Sequence, residues 1–229
     1  MRTQGELTAV IPTLNAAQTL PRTLAALAGQ VDRIVVADGG STDTTHAIAA
    51  AAGAQVVEAP RGRGSQLAAG TAAAATLWLL VIHADTRPGP GWRSAAAAFM
   101  ADPAQADHAG HFRFALDDAA PQARRLERAV AWRCRALGLP YGDQGLLIRR
   151  DTLAALGGFR AIPIMEDVDL ARRIGRRRLV ALDAAFVTSA ARWRAEGWWL
   201  RSARNLSCLA LWFAGVPPAR IARLYARRR

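Results

Sequence analysis

The stretch LLVIHADTRP, residues 79–88, decides the fold class. Four apolar residues in a row, Leu79 to Ile82, two of them β-branched, suit a strand covered on both faces by other elements. Polarity arrives at once with His83, Ala84 and Asp85, and Pro88, Gly89, Pro90 and Gly91 then require the chain to turn just past the acidic residue. Asp85 therefore stands where a sheet ends.

The same pattern recurs upstream. Strand-like runs at 7–11, 33–37, 55–58 and 77–82 alternate with helical segments, one carrying Leu20, Leu24 and Leu27, one starting at Asp43 and one at Gly64. Such alternation predicts an α/β fold with a mostly parallel sheet wrapped by helices. Ligands of open α/β sheets bind in the crevice beyond the carboxyl ends of the strands. Each run ends in polar or turn residues: Pro12-Thr13-Leu14-Asn15, Asp38-Gly39-Gly40-Ser41, Pro60-Arg61-Gly62-Arg63 and His83-Ala84-Asp85. These edges are expected to converge on one crevice. The second half is less regular, with a strand at 111–116, a helix at 121–137, the punctuated LPYGDQGLLIRRD and a Gly157-Gly158 break. A helix from Glu166, short strands near Val180 and Val187, and helices from Trp198 and Pro217 complete it.

At 229 residues the chain fits one α/β domain with a full core, and no composition break argues for two. The formal charge of +12 comes from 30 basic residues, every one an arginine, against 18 acidic ones. That surplus favours anionic partners such as nucleotides, anionic lipid headgroups or nucleic acid. Nucleic acid is the least expected, because no basic stripe with interleaved aromatics is visible and the acidic residues cluster where phosphates would have to go. Cys134 and Cys208 form no CxxC, so a reduced, cytoplasmic setting is the default. The N-terminus reads as no signal peptide. The longest apolar stretch, 67–82, is diluted by Gly, Thr and Ala and reads as helix followed by strand, not as a span.

Several constellations carry chemistry. VVADGGSTDTT sets Asp38 at a strand end, with glycines that let backbone approach a ligand and Ser41 or Asp43 as a helix cap; Asp38 either receives hydrogen bonds from a base or ribose or simply builds a capped turn. PRGRGSQLAAG places Arg61 and Arg63 between glycines at a helix start, where N–H groups and guanidinium forks meet phosphate oxygens, without the P-loop or GxGxxG spacing. His83 and Asp85 alternate on an extended segment, so they point to one side and together suit an oxygen-loving divalent ion, Mg²⁺ or Mn²⁺; the plainer reading is that Asp85 caps the turn and His83 packs. In PIMEDVDLARRI, Asp167 projects with Leu170, Ala171 and Ile174 on the inward stripe of a helix. A helix-dipole role, worth about 0.3–1 kcal/mol, does not require that inward position. A sheltered carboxylate can instead remove a proton, which contributes roughly 10²–10⁴ in rate, and Glu166 beside it is the second candidate.

The tail GWWLRSARNLSCLALWFAG projects as an amphipathic helix with Trp198, Trp199, Leu206, Leu209, Ala210 and Phe213 on one side and Arg201 and Arg204 facing away. Such a helix packs into the protein, pairs with a second copy, or lies in a membrane interface beside Arg223 and Arg227 to Arg229.

Taken together, VIPTLNA, DGGSTDTT, RGRGSQLAAG, HADT, GDQG, GGF, IMEDVDL and RW occur in the order of the family-two glycosyltransferases of the GT-A fold. Over nearly the whole chain the sequence resembles them, and most of all the bacterial branch called radical-SAM/selenodomain-associated transferases. The resemblance implies a single transferase domain over 1–229, with a nucleotide-sugar-binding half to about 100, an acceptor and catalytic half over about 101–195 and a helical tail over about 196–229. It implies that Pro12, Asn15, Asp38, Gly39, Gln66 and Ala84 line the donor pocket, that Arg61 and Arg63 approach the diphosphate, and that Asp85, with His83, holds the divalent cation. Asp143 and Gln144 would sit near donor sugar and acceptor, Arg192 and Trp193 would close on the diphosphate, and Asp167 would be the base, with Glu166 in support. Ala68 and Ala191 stand where the family pattern has Asn and Arg. The implied reaction is inverting, metal-dependent transfer from a nucleotide-diphosphate sugar to a hydroxyl acceptor, including a lipid-linked one reached from the inner face of the cytoplasmic membrane. A nucleotide-sugar-binding protein with little turnover is the alternative.

Overall fold

The computed structural model describes residues 6–226. The N-terminal residues 1–5 and the terminal Arg227 to Arg229, on which the leader and membrane readings partly rested, lie outside the described residues.

The four expected strands form as β1 (Leu7–Thr13), β2 (Arg33–Asp38), β3 (Gln55–Glu58) and β4 (Trp78–Val81), parallel to one another in the order β3-β2-β1-β4. Every residue of β1 and β4 is buried, as an apolar run covered on both faces requires. Alternation splits the side chains between two cores. Leu7, Ala9, Ile11, Leu80 and Ile82 face the side covered by α1 (Leu20–Leu27) and α2 (Thr45–Ala51), whereas Val10, Leu79 and Val81 face α3 (Arg63–Ala73). In α3, Gly70 is set by close approach: a Cβ there would lie 2.7 Å from Val10 Cγ1 and 3.1 Å from Ala37 Cβ.

Beyond β4 the sheet becomes mixed. The segment Leu146–Arg149 forms β7, which the sequence pattern did not reveal, and pairs antiparallel with β4, Leu80 opposite Leu147. On its other side lies β6 (Ala109–Leu116), then β8 (Leu179–Thr188), and last β5 (Thr86–Pro88), giving the order β3-β2-β1-β4-β7-β6-β8-β5. Four of the seven pairings are parallel. Three expectations need amending. The chain does not turn directly after Asp85 but first makes β5, antiparallel to β8, before Gly89 donates to the Ala185 carbonyl at 2.7 Å. The two short strands expected near Val180 and Val187 are one strand; between paired positions 111↔181 and 113↔185, two residues of β6 span four of β8, and this bulge broke the alternation. A helix α4 (Trp92–Ala101) also went unread, because its apolar residues are mostly alanines. Its Trp92 packs edge-on to Phe112 and Phe186, which stack at 4.0 Å and 7° and seal the mixed half.

The helices α5 (Pro121–Leu137), α6 (Arg150–Ala155), α7 (Glu166–Ile174), α8 (Ala191–Glu196), α9 (Trp198–Phe213) and α10 (Pro218–Ala226) complete the fold. In a third cluster α9 and α10 cover α7 through Val168, Ala171, Cys208, Leu209 and Ile221. The face expected to be apolar and inward is only partly so. Leu209 is buried, but Trp199, Leu206 and Phe213 are exposed, while Arg201 is buried. The inversion has a physical cause: Glu196 accepts from Arg201 at 2.7 Å and also pairs with Arg204, and the two guanidinium groups lie over the Trp193 and Tyr225 rings. Paired and stacked arginines are tolerated inside, where a projection that treats every arginine as outward fails. Among the described residues, no helix is long and apolar enough to cross a membrane.

Replacing Phe186 with alanine is expected to cost about 3–5 kcal/mol. Urea denaturation with an unchanged m-value checks it; a loss below 1 kcal/mol would show that the aromatic stack is not what holds the mixed half together.

Candidate active site

The carboxyl ends of β1 and β2 are held together by residues that the sequence offered as ligands. Asp38 is buried and receives four hydrogen bonds: from the Thr13 hydroxyl at 2.9 Å, the Ser41 hydroxyl at 2.6 Å, and the N–H groups of Ser41 at 2.7 Å and Gly40 at 3.0 Å. Burial alone would push its carboxyl up, but these donors hold it below the ordinary carboxylate range. A carboxylate has about four lone-pair positions, and the turn fills them. Asp38 thus builds the edge, tying the turn after β2 to β1. Gln66 plays a similar part: buried at the start of α3, its amide donates to the carbonyls of Thr13 and Ala37 and ties β1 to β2. Gly39 is glycine because a Cβ would meet that amide at 2.9 Å. Pro12 is buried in β1, and Asn15, at φ 50°, accepts from Thr42 N at 2.9 Å while its own N–H donates to Ser41. Ala84 is packed in the core, its carbonyl accepting from Thr23. These residues shape the floor of the crevice.

The reactive groups meet one step further on, where β4 ends beside the 3-10 turn 142–144 and the N-terminus of α7. Asp167 accepts from Gly142 N at 3.0 Å and from Val168 N at 2.8 Å. Gly142 also abuts His83: a Cβ there would lie 2.3 Å from the imidazole Nε2, which is buried with no partner among the described residues. Burial lowers the His83 pKa to about 4, helped by Arg63 and Arg192 and opposed by Asp85 and Asp167, so the ring is neutral at neutral pH. Asp143, on the same turn, has a buried Oδ1 without a partner. Burial pushes its carboxyl up to about 6, against Arg133 and with further push from Asp167 and Asp85. Asp85, Asp143 and Asp167 therefore act on one another through a small region centred on His83.

Arginines frame that region. Arg63 Nε lies 2.8 Å from Glu166 Oε1, whose side chain is fully buried. Burial pushes Glu166 up to about 7 against this partner, while the neighbouring carboxylates keep Arg63 protonated. Arg63 is thus anchored by one edge to the acid that the sequence proposed as an alternative base. Its loop is fixed too: a Cβ on Gly64 would lie 2.1 Å from the Arg160 carbonyl. Arg192 stands 3.9 Å from Asp85 and is half exposed, and Arg61 is exposed. Two further residues of the expected set pack within the protein. Trp193 is buried against Phe114 and beneath Arg201. Gln144 is buried, donates to the Phe112 carbonyl at 3.0 Å and accepts from Tyr141 N at 3.2 Å and Arg133 at 3.3 Å, holding the turn in shape. Arg133, whose guanidinium lies 3.4 Å over the Tyr141 ring, was missed because it sits among many arginines of α5; only the punctuation in LPYGDQG hinted at a built turn.

Two concavities flank the centre. One is lined by Leu67, Val81, Tyr141, Phe159, Leu170 and Ala171, with His83, Glu166 and Asp167 among its polar groups. The other holds Asp85 with Arg22, Arg87, Asp117 and Ser189. The two key aspartates thus line different concavities. Among the described residues, no three His, Cys, Asp or Glu side chains gather as a metal cage, and His83 Nε2 is buried against Gly142. Asp85 offers one carboxylate lining its concavity. That fits a Mg²⁺-type site, which uses one or two carboxylates and completes its shell with substrate phosphates and water.

Comparison with known proteins gives these residues a context. The family model described as glycosyl transferase family 2 matches residues 8–160. An uncharacterized glycosyltransferase of Mycobacterium tuberculosis is 48% identical over 80 residues, 34% of this chain and 36% of that one, so the match spans about a third of the relative's length. Staphylococcus aureus TarS, residues 1–349, superposes with TM-score 0.62 at 17% identity, covering 81% of this chain and 60% of that one. Glucosyl-3-phosphoglycerate synthase from M. tuberculosis, in complex with Mn²⁺, UDP-glucose and phosphoglyceric acid, superposes with TM-score 0.57 at 20% identity, covering 80% of this chain and 70% of that one. These likenesses establish a GT-A fold.

Asp143 offers a test of the site's electrostatics. Its folded pKa is raised, so its neutral form stabilises the fold at low pH and that contribution is lost as pH rises through about 6. Asp143→Asn is expected to melt at a higher temperature than the parent at pH 8, with the gap narrowing below pH 5. A gap of constant size across pH 4–8 would contradict this.

Proposed function

The chain belongs to glycosyl transferase family 2, and from that membership we propose that it transfers a sugar from a nucleotide-diphosphate sugar to an acceptor hydroxyl, inverting the anomeric centre with the aid of a divalent cation. The observation that carries this reading is the seat of Asp167. Its oxygens receive N–H groups from Gly142 and Val168, so the carboxylate is held in one orientation at the edge of an apolar cleft, as a general base requires.

Asp167 takes the proton of the acceptor hydroxyl as that oxygen bonds to the anomeric carbon, and the electron pair of the broken C–O bond leaves on the nucleotide diphosphate. Direct displacement needs no enzyme nucleophile. Asp85 is the residue to hold the cation, which when bound neutralises charge on the departing diphosphate. The solved structure of glucosyl-3-phosphoglycerate synthase with Mn²⁺ and UDP-glucose supports this donor class and ion by analogy. Arg192, beside Asp85, and Arg63, anchored on Glu166, add positive charge around the site. We assign donor binding to the first half of the chain, to about residue 100, and acceptor binding to the second, in keeping with the placement of the strand ends and of α7. The apolar lining beside Asp167 suits an acceptor with a hydrocarbon portion, such as a lipid-linked alcohol.

One feature favours a second reading, a protein that binds nucleotide sugars with little turnover: Asp85 and Asp167 open into separate concavities. Two experiments decide. In a thermal-shift panel of nucleotide sugars with and without Mn²⁺, a cognate donor at 100 times its Kd is expected to stabilise the fold by about 2.7 kcal/mol; a flat panel removes both readings. Asp167→Asn is expected to lower kcat by about 10²–10⁴ while donor binding persists. An unchanged rate would remove Asp167 from its role, and donor binding without turnover in the parent would leave the binding protein.

A further inference from the structure

The exposed side of α9 carries large apolar residues at regular spacing: Trp199 is 73% exposed, Leu206 63% and Phe213 51%, each seven residues from the next, with Ala203 and Ala210 between them. Residues separated by seven lie on one helix face, so these five form a continuous stripe about 21 Å long at 1.5 Å per residue. Leu200, 56% exposed, widens it at one end, and Leu224 of α10, 50% exposed, adds to the apolar surface of the helix pair. Scattered exposed leucines need no explanation, but an aligned row rimmed by charge does.

The rim has one sign. From Gly197 to Ala226 the sequence contains no Asp or Glu. Arg220 and Arg223 are exposed on α10, which packs on α9, and the Arg172 guanidinium lies 5.2 Å over the Phe213 ring at the end of the stripe. Arg201 and Arg204, on the opposite face of α9, are turned inward onto Glu196.

We propose that this face of α9 and α10 docks on an anionic lipid bilayer, the stripe lying in the interface plane and the arginines meeting lipid phosphates. The stripe is too short to cross a hydrocarbon layer of roughly 30 Å, and its tryptophan end suits the headgroup level. A second copy of the chain fits less well: two heptads fall below the three or four that sustain a coiled coil, and the intervening alanines leave few knobs. Opposing copies would also bring like charges together. The inference stands on the helix surface and does not depend on the transfer chemistry.

The test is vesicle flotation of the full chain, with phosphatidylcholine alone and with phosphatidylglycerol added. Binding to the anionic vesicles only, weakened by salt, is expected, and Leu206→Asp is expected to reduce it about tenfold or more. Because Leu206 is exposed, the variant is expected to keep the parent's melting temperature; Arg223→Glu provides a second reduction that leaves the apolar stripe intact. Flotation unchanged in both variants, or no flotation of the parent, overturns the proposal. Dimerisation that is lost in Leu206→Asp, without flotation of the parent, assigns the face to a second copy instead.

Discussion

The backbone N–H of Gly142, donated to Asp167, joins the two halves of the site. Gly142 begins the turn that leads into β7, β7 pairs with β4, and β4 runs into His83 and Asp85. Through that one bond the N-terminus of α7 is registered against the central strand. The absence of a side chain at residue 142 lets His83 approach from the other side. A larger residue would move the turn off the imidazole and carry the donor N–H away from Asp167.

Charge is concentrated around this joint. Asp85, Asp143, Asp167 and Glu166 lie within mutual influence, with Arg63, Arg133 and Arg192 among them. In a partly dry region such groups interact strongly, and their protonation is shared out by position. Glu166, completely enclosed, depends on Arg63; Asp167, half-buried, is held by backbone donors and remains at the cleft. Two adjacent acids in sequence thereby become one buried anchor and one carboxylate at the cleft. Their neighbour Asp169 pairs with Arg160 and Arg173 and serves α7 itself.

The sequence was most legible where period and chemistry agreed. The parallel strands β1 to β4, the leucine stripe of α1 and the polar strand ends could be read because a buried parallel sheet demands long apolar runs and sharp punctuation. Asp85 and Asp167 stood out because each was a carboxylate that its local pattern did not need. The mixed half resisted for identifiable reasons: β7 is four residues tucked behind a turn, the β8 bulge erases alternation, and the alanines of α4 give no stripe. Within the site, Asp38, Gln66, Gln144 and Trp193 were singled out as polar or aromatic residues at strand ends or in motifs. Their partners turn out to be the protein's own backbone and core. A motif marks a place in the fold, and only the three-dimensional hydrogen-bond count tells which of its side chains still have an unused lone pair.

Gly64 has a wider consequence. Backbone presses on backbone there, with the loop at 160–162 lying against the first turn of α3. Elements drawn from distant parts of the sequence are thus mechanically fused, so that any opening of the crevice must carry the arginine loop and the segment leading into α7 as a single block. The hinge for admitting a ligand would have to lie elsewhere, and insertions tolerated in most surface loops would be refused at this seam.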